Sequence, residues 1–358
     1  MTHANGARPM RTRLTELTGI RFPIVQTGMG YVSDAGLTAA TSTAGGLGIL
    51  GSATMTLDAL KSAIAEVQRR TDAPFGVNLR ADAPDAAERV EVMIAAGVRV
   101  ASFALAPKQE MIKRLKDAGV VVIPSVGARR HAEKVAQWGA DAVIVQGGEG
   151  GGHTGPIPTS LLIPQVVSAV DIPVVAAGGF FDGRGLVAAL AYGAEGIAMG
   201  TRFLLTSDSP VADAVKQVYL GKTLTDTIVT TRVDGVPHRV LRSPLVEGLE
   251  RSGRLTGLGK AVRNAAAFRS LSGLTWRQML REGAAMRRGG GISWSQVLMA
   301  ANTPMLLKAA MVDGRPDLGV MAAGQVVGVI DDIPSCAELI ERIMTQAWDT
   351  LDGLARFG

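Results

Sequence analysis

The chain holds one cysteine, Cys336, in 358 residues, so no disulfide can form within it. That fits a reducing compartment, and a cytoplasmic location is expected. No apolar run approaches the ~18 residues that a membrane-crossing helix needs, so no membrane partner is expected. Residues 1–13 are basic but carry no apolar segment, so no secretory signal is expected there. Histidine is scarce, four in all, and no His/Cys/Asp cluster has metal-site spacing; no metal is expected. Charged residues are only 19% against 47% hydrophobic, which excludes a disordered chain and supplies a sizeable core.

What the chain has in excess is glycine. Its 44 glycines make about 12% of the residues, where about 7% is ordinary. Many fall where apolar runs end, as ligand-cradling loops require. Charge is also unevenly spread. Residues 232–288 hold 12 Lys and Arg against 4 Asp and Glu, a net of +8, while the whole chain is only +5. The remainder is therefore net −3. One basic segment on a mildly acidic body points to a local anion site, not to a nucleic-acid surface.

Eight short apolar runs, rich in Val, Ile and Leu, alternate with helical patterns up to about residue 220. They are Pro23–Gly28, Leu47–Gly51, Pro74–Leu79, Val100–Leu105, Val120–Val126, Ala142–Gln146, Ile172–Gly178 and Gly196–Phe203. Such runs suit parallel strands buried on both faces. Stretches such as Leu57–Arg69, Ala86–Ala96 and Ala128–Trp138 have apolar residues at helical spacing. Gly97, Gly119, Gly139 and Gly193 each fall between a helical stretch and the next run, where a left-handed cap is wanted. The pattern predicts a (β/α)8 TIM barrel, with a doubly wound open sheet as the alternative.

Residues 220–315 break this rhythm with Arg-rich stretches at 245–252, 260–270, 276–288 and 294–301. They are expected to form a helical lid inserted after the eighth strand. The expected organisation is a barrel over 1–220, a lid and substrate domain over 221–315, and a closing segment over 316–358. Ser335 followed by Glu338 is a capping box that should start a final helix over Ser335–Leu351.

In a TIM barrel, the chemistry gathers at the C-terminal ends of the strands. There the sixth run feeds Gln146-Gly-Gly-Glu-Gly-Gly-Gly-His153-Thr154-Gly155, six glycines and one imidazole. Glycines permit close backbone approach to a ligand, and histidine moves protons near neutral pH. Gly178 and Gly179 end the seventh run, and Gly200 and Thr201 the eighth. These two loops are the usual phosphate cradle of such barrels. Glu149 either orients His153 or caps its loop. His131 is expected at the surface, and Trp276 and Trp294 in the core of the lid. His238 has little in the sequence to connect it with the site.

Six motifs then occur in a fixed order: Pro23-Ile-Val-Gln-Thr-Gly-Met29, Ala44-Gly-Gly-Leu-Gly48, Phe75-Gly-Val-Asn78-Leu, Glu149-x-Gly-Gly-His153, Ala177-Gly-Gly179 and Met199-Gly-Thr-Arg-Phe203. Ala323-Gly-Gln325 follows near the end. Together they resemble the nitronate monooxygenase and FMN-dependent enoyl reductase superfamily. The long basic segment with Trp294-Ser-Gln-Val-Leu-Met-Ala-Ala-Asn302 resembles the flavin-dependent acyl-CoA dehydrogenases of bacterial steroid C/D-ring catabolism. The resemblance implies non-covalent FMN. Gly28, Met29 and Gly30 would line one face of its ring, and Asn78 would hydrogen-bond the ring. Gln146 would reach its polar edge, with Ser125 also at the cofactor. Gly151 and Gly152 would run beside the ribityl chain, and Gly178, Gly179, Gly200 and Thr201 would hold the phosphate. Gln325 would complete the set. His153 would be the catalytic base, a role worth roughly 10²–10⁴-fold. Two departures, Thr27-Gly28-Met29 where Ala-Pro-Met is usual and Gly150 where Ala or Ser is common, weaken a nitronate assignment more than a flavin assignment.

The basic segment is the clue to substrate, because arginines pair with phosphates in forked geometry and coenzyme A carries several. Lys108, Arg239, Arg242, Arg251 and Arg254 are the candidate substrate-binding residues. The expected activity is FMN-dependent oxidation or reduction of the α,β bond of a bulky acyl-CoA, with NAD(H) as co-substrate. A nitronate monooxygenase using O₂ and a non-catalytic flavin-binding module are the alternatives. Homo-oligomerisation is left open.

Overall fold

The computed structural model describes residues 7–104, 107–233, 235–251 and 306–357. Its strands are β1 (Ile24–Gln26), β2 (Leu47–Gly51), β3 (Phe75–Leu79), β4 (Val100–Phe103), β5 (Val121–Val126), β6 (Val143–Gln146), β7 (Gly152–His153), β8 (Val174–Ala177), β9 (Ile197–Met199), β10 (Thr227–Thr230) and β11 (His238–Leu241). Eight of them form a closed parallel barrel in the order β1-β2-β3-β4-β5-β6-β8-β9. The ring closes where β1 pairs β9, with Ile24 opposite Ile197. All eight expected apolar runs supply these strands. Most of their residues are apolar because one face fills the barrel and the other meets a helix, and the polar exceptions include Asn78, Ser125 and Gln146 towards the C-terminal ends. Val25, Ile49, Val100, Ile123, Ile144 and Val175 belong to the apolar cluster that packs the barrel.

The helices between the strands are α2 (Ala35–Thr43), α3 (Leu57–Arg70), α4 (Ala86–Ala95), α5 (Gln109–Asp117), α6 (Arg129–Gln137), α7 (Thr159–Val167) and α8 (Gly183–Ala191). A short α1 (Arg13–Thr18) precedes β1. Gly97, Gly119, Gly139 and Gly193 all have positive φ, from 67° to 93°, as left-handed helix stops require. The eighth expected run overshoots its strand. The backbone turns at Gly200 into α9 (Thr201–Leu204), where the buried Arg202 guanidinium bonds Leu205 O at 2.7 Å and Asp332 Oδ1 at 3.0 Å. α10 (Asp213–Leu220) follows.

The last long helix, α12 (Cys336–Leu354), comes after α11 (Pro244–Arg251) and packs against α8 and α2. It starts at the expected capping box, with the Ser335 hydroxyl accepting from Glu338 N. A Cβ on Gly183 would overlap the α12 backbone at Ile343 and Ala347, so this crossing is backbone against backbone. The chain end thereby fills the helix position that follows β9.

The segment after the barrel, expected to form a helical lid, includes a hairpin that the sequence reading did not name. It opens with β10 and β11, an antiparallel pair with Thr230 opposite His238, before α11 begins. Thr227-Ile-Val-Thr230 is wholly β-branched, which favours a strand over a helix. The expected lid stretches at 260–270, 276–288 and 294–301, with Trp276 and Trp294, lie outside the described residues. Both stems of the segment meet in one small apolar cluster of Val233, Val240, Val246 and Val320.

Candidate active site

The loop after β6 is fixed from several sides. Gly147 N donates to Ala177 O at 2.9 Å, and Gly148 N to Ile157 O at 2.6 Å. The Gln146 side chain folds back beneath the loop, donating to His153 O at 2.8 Å and Gly151 O at 3.3 Å. A Cβ on Gly150 would lie 2.5 Å from Gln146 Nε2, so glycine at this position lets that side chain fold under. Gly151 is as tightly placed, since its Cβ would come 2.5 Å from Gly324 N. Gly152, with φ +71°, has open space where a Cβ would project.

The loop then runs as β7 beside β11. His153 lies opposite His238 and Gly152 opposite Arg239, and Thr154 N donates to Pro237 O at 3.2 Å. The hairpin from the late segment thus forms one three-stranded sheet with the glycine-rich loop. His153 is exposed, while His238 is only 3% exposed. Their rings meet at 4.7 Å between centroids with a 47° tilt. Across the barrel mouth, in the loop after β3, Asp82 lies within electrostatic reach of His153. The forked ion pair from Arg80, at 2.6 and 3.0 Å, is the main cause that holds the Asp82 carboxyl below its usual range, and His153 adds to it.

Two charged residues anchor the loop. Glu149 Oε2 accepts from Thr159 N at 2.9 Å and Thr159 Oγ1 at 2.6 Å, so it caps the start of α7 and the loop. Of its two expected roles, the geometry shows the capping one. Arg239 donates twice to Gly148 O, at 2.8 and 3.2 Å, and once to Thr227 Oγ1 at 2.9 Å. Burial pushes its pKa down and Glu149 pushes it up. A cavity of about 520 Å³ lies alongside, walled by Glu149, Pro156, Val229, Pro237, Arg239 and Gln325 among others.

The expected cofactor residues gather at the strands' C-terminal ends. Gly28, Met29, Gly30, Ser125, Gln146, Gly178 and Gly200 are half-buried there, and Gly179 is exposed. Asn78 is buried and donates to Ser102 Oγ at 3.2 Å; a Cβ on Gly28 would overlap it. Gly178 and Gly179 have φ of +98° and +83°. Thr201 Oγ1 accepts from Gly324 N at 2.9 Å, and Gln325 N donates to Glu149 O at 2.9 Å. Residues 323–325 are therefore brought against the glycine-rich loop. A flat cofactor with a phosphate tail fits these residues: polar Ser125 and Gln146, an open strip at Gly152, and left-handed glycines at the β8 end.

The expected substrate residues are more scattered. Of those among the described residues, only Arg239 lines the cavity. Lys108 is exposed at the start of α5. Arg242 is exposed and donates to Thr225 O at 3.3 Å, and Arg251 pairs with Glu247 on α11 at 3.4 Å. Arg254 lies outside the described residues. His131 is exposed on α6, as expected.

The profile of the family described as nitronate monooxygenase matches residues 11–346. The chain belongs to that family. It is 67% identical over 341 residues to a Mycobacterium tuberculosis protein named (3aS,4S,5R,7aS)-5-hydroxy-7a-methyl-1-oxo-octahydro-1H-indene-4-carboxyl-CoA dehydrogenase, covering 94% of this chain and 96% of that one. A Rhodococcus jostii protein of the same name is 60% identical over 345 residues, covering 96% and 98%. Among solved structures, FabK from Thermotoga maritima superposes with a TM-score of 0.79 at 36% identity, over 98% of this chain and all of that one. The departures at Thr27-Gly28-Met29 and Gly150 accompany this high identity to dehydrogenases.

Proposed function

We propose that this chain is an FMN-dependent oxidoreductase that acts on the α,β carbon–carbon bond of a bulky acyl-CoA thioester from steroid-ring degradation, with NAD(H) as co-substrate. One observation carries the reading: an exposed imidazole, His153, stands on a pinned loop at the barrel mouth in a chain 67% identical to the octahydroindene-carboxyl-CoA dehydrogenase of M. tuberculosis. The substrate class is taken to be that same ring thioester.

His153 takes the proton from the carbon next to the thioester carbonyl in the oxidative direction, and returns it in the reductive one. Bound FMN supplies the two-electron acceptor for the hydride of the β-carbon. Gly28, Met29, Gly30, Asn78, Ser125 and Gln146 hold its ring, with Gly151 and Gly152 beside its chain. Gly178, Gly179, Gly200 and Thr201 hold its phosphate, with Gln325 close by. Gln146 has a second task, since the bond to His153 O keeps the base at the mouth. Cationic side chains at Lys108, Arg242, Arg251 and Arg254 meet the phosphates of coenzyme A, and residues 221–315 act as the substrate domain. The protein works in the cytoplasm.

The test is anaerobic. Purified protein should be yellow, release FMN on denaturation and bleach with NADH; bleaching by neither NADH nor NADPH refutes the nicotinamide link. The ring thioester should change the flavin absorbance at micromolar concentration. His153→Ala should keep the flavin and lose turnover. The family match favours one other reading, a nitronate monooxygenase. Rapid O₂ uptake with a nitronate, together with indifference to acyl-CoA, would select it.

A further inference from the structure

We infer that His238 is a positioning residue that sets the plane of the His153 imidazole. The inference rests on the reading of His153 as the base. His153 is exposed on its outer side, and a histidine side chain chooses among staggered wells. His238 supplies the wall on the other side. The two are direct partners across β7 and β11, and their rings meet at 4.7 Å with a 47° tilt, the usual range for tilted aromatic pairs.

The wall itself does not move. His238 is 3% exposed, on a strand whose neighbour Val240 is fully buried in the cluster with Val233, Val246 and Val320. The backbone that carries His153 is held at the same point. Gln146 Nε2 bonds its carbonyl at 2.8 Å, and Thr154 N bonds Pro237 O at 3.2 Å. With the backbone held there, the His238 ring packs against the imidazole and restricts its torsion. Asp82, paired with Arg80, lies within electrostatic reach of the ring. The imidazole thus packs against a buried ring and lies within electrostatic reach of a charged pair.

The rest of the strand pair says why this residue type matters. Thr230 and Ile228 on β10 and Val240 on β11 share its face, and aliphatic side chains serve that face well. A buried imidazole costs more to desolvate than valine. A base misplaced by about 1 Å loses on the order of 100-fold in rate, so holding the ring is worth that cost.

The experiment compares His238→Ala with His238→Phe in the flavin-loaded full chain. Phe keeps a flat wall without nitrogens. Two readouts are taken: the NMR resonance of the His153 ring carbon proton, and kcat and KM separately. In His238→Ala the resonance should move to that of a solvent-exposed histidine. Turnover should fall about 10–100-fold, while KM stays within roughly 3-fold and the flavin spectrum is unchanged. His238→Phe should recover most of kcat. An unmoved resonance and full turnover in His238→Ala would overturn the inference. So would a folded His238→Phe that is as slow as the alanine variant. Should His238→Ala fail to fold, His238→Phe decides by the same two readouts. If the wild-type chain turns over no acyl-CoA, the proposed function fails, while the resonance comparison still decides whether His238 sets the ring.

Discussion

Arg239 gives the sharpest test of how the late segment serves the site. The sequence alone places it among substrate-binding cations, whereas its three nitrogens bond Gly148 O and Thr227 Oγ1. Hydrogen bonds to a charged group contribute about 1.5–3 kcal/mol each. Two of these share one acceptor and the residue is half-buried, so Arg239→Ala should cost about 2–4 kcal/mol in all. For a chain of 358 residues that is a fall in Tm of roughly 3–5 °C. The lost bonds hold the carbonyl five residues before His153, so kcat should fall about tenfold through a loosened base. KM for the acyl-CoA should change by less than about threefold, because uniform substrate binding is untouched. Thermal unfolding and steady-state kinetics on one preparation decide it. An unchanged Tm with KM raised tenfold or more would show that Arg239 holds substrate and not the loop.

Neighbouring glycines should behave differently. Gly151→Ala puts a Cβ 2.5 Å from Gly324 N, with no flexible side chain to give way, and should abolish flavin retention in the purified protein. Gly152→Ala meets no atoms and costs only its positive φ, about 1–2 kcal/mol, so the flavin should stay bound. Asp332 works against its own desolvation, but Arg342 and Arg202 hold its carboxyl below the usual range. Its contribution is therefore complete above the unfolded pKa near ~4 and is lost as pH falls through the lower folded value. Asp332→Asn should lower Tm at pH 7 and flatten the acid limb of a Tm-against-pH curve. Burial pushes the Cys336 thiol up to about 12, so thiol reagents at pH 8 should leave the native protein unlabelled and label it after unfolding.

The barrel was legible because parallel strands buried on both faces write themselves as apolar runs. The same holds for the glycine helix stops and the Ser335–Glu338 cap, whose signals are local. The hairpin was not. Four-residue β10 and β11 are too short to show a period, and β11 finds its second partner in a two-residue strand far back in the chain. Its β-branched run was the one available hint. The gathering of the flavin-site glycines followed from topology, but their individual reasons did not. Gly28 is required by Asn78, Gly150 by Gln146 and Gly151 by Gly324. Nor does any local pattern say that His238 touches His153 or that Glu149 caps α7. Such facts belong to the third dimension.

The closing helix has a consequence for synthesis. Strands β1 to β9 leave the ribosome long before residues 336–354, yet α2 and α8 bury their apolar faces against α12. Until the last turns emerge, a nearly finished ring presents a greasy seam to its surroundings. Such exposed surface invites association between nascent chains. A stop codon that removed α12 would leave every residue of the His153 loop in place and still yield a protein prone to precipitate in the cell.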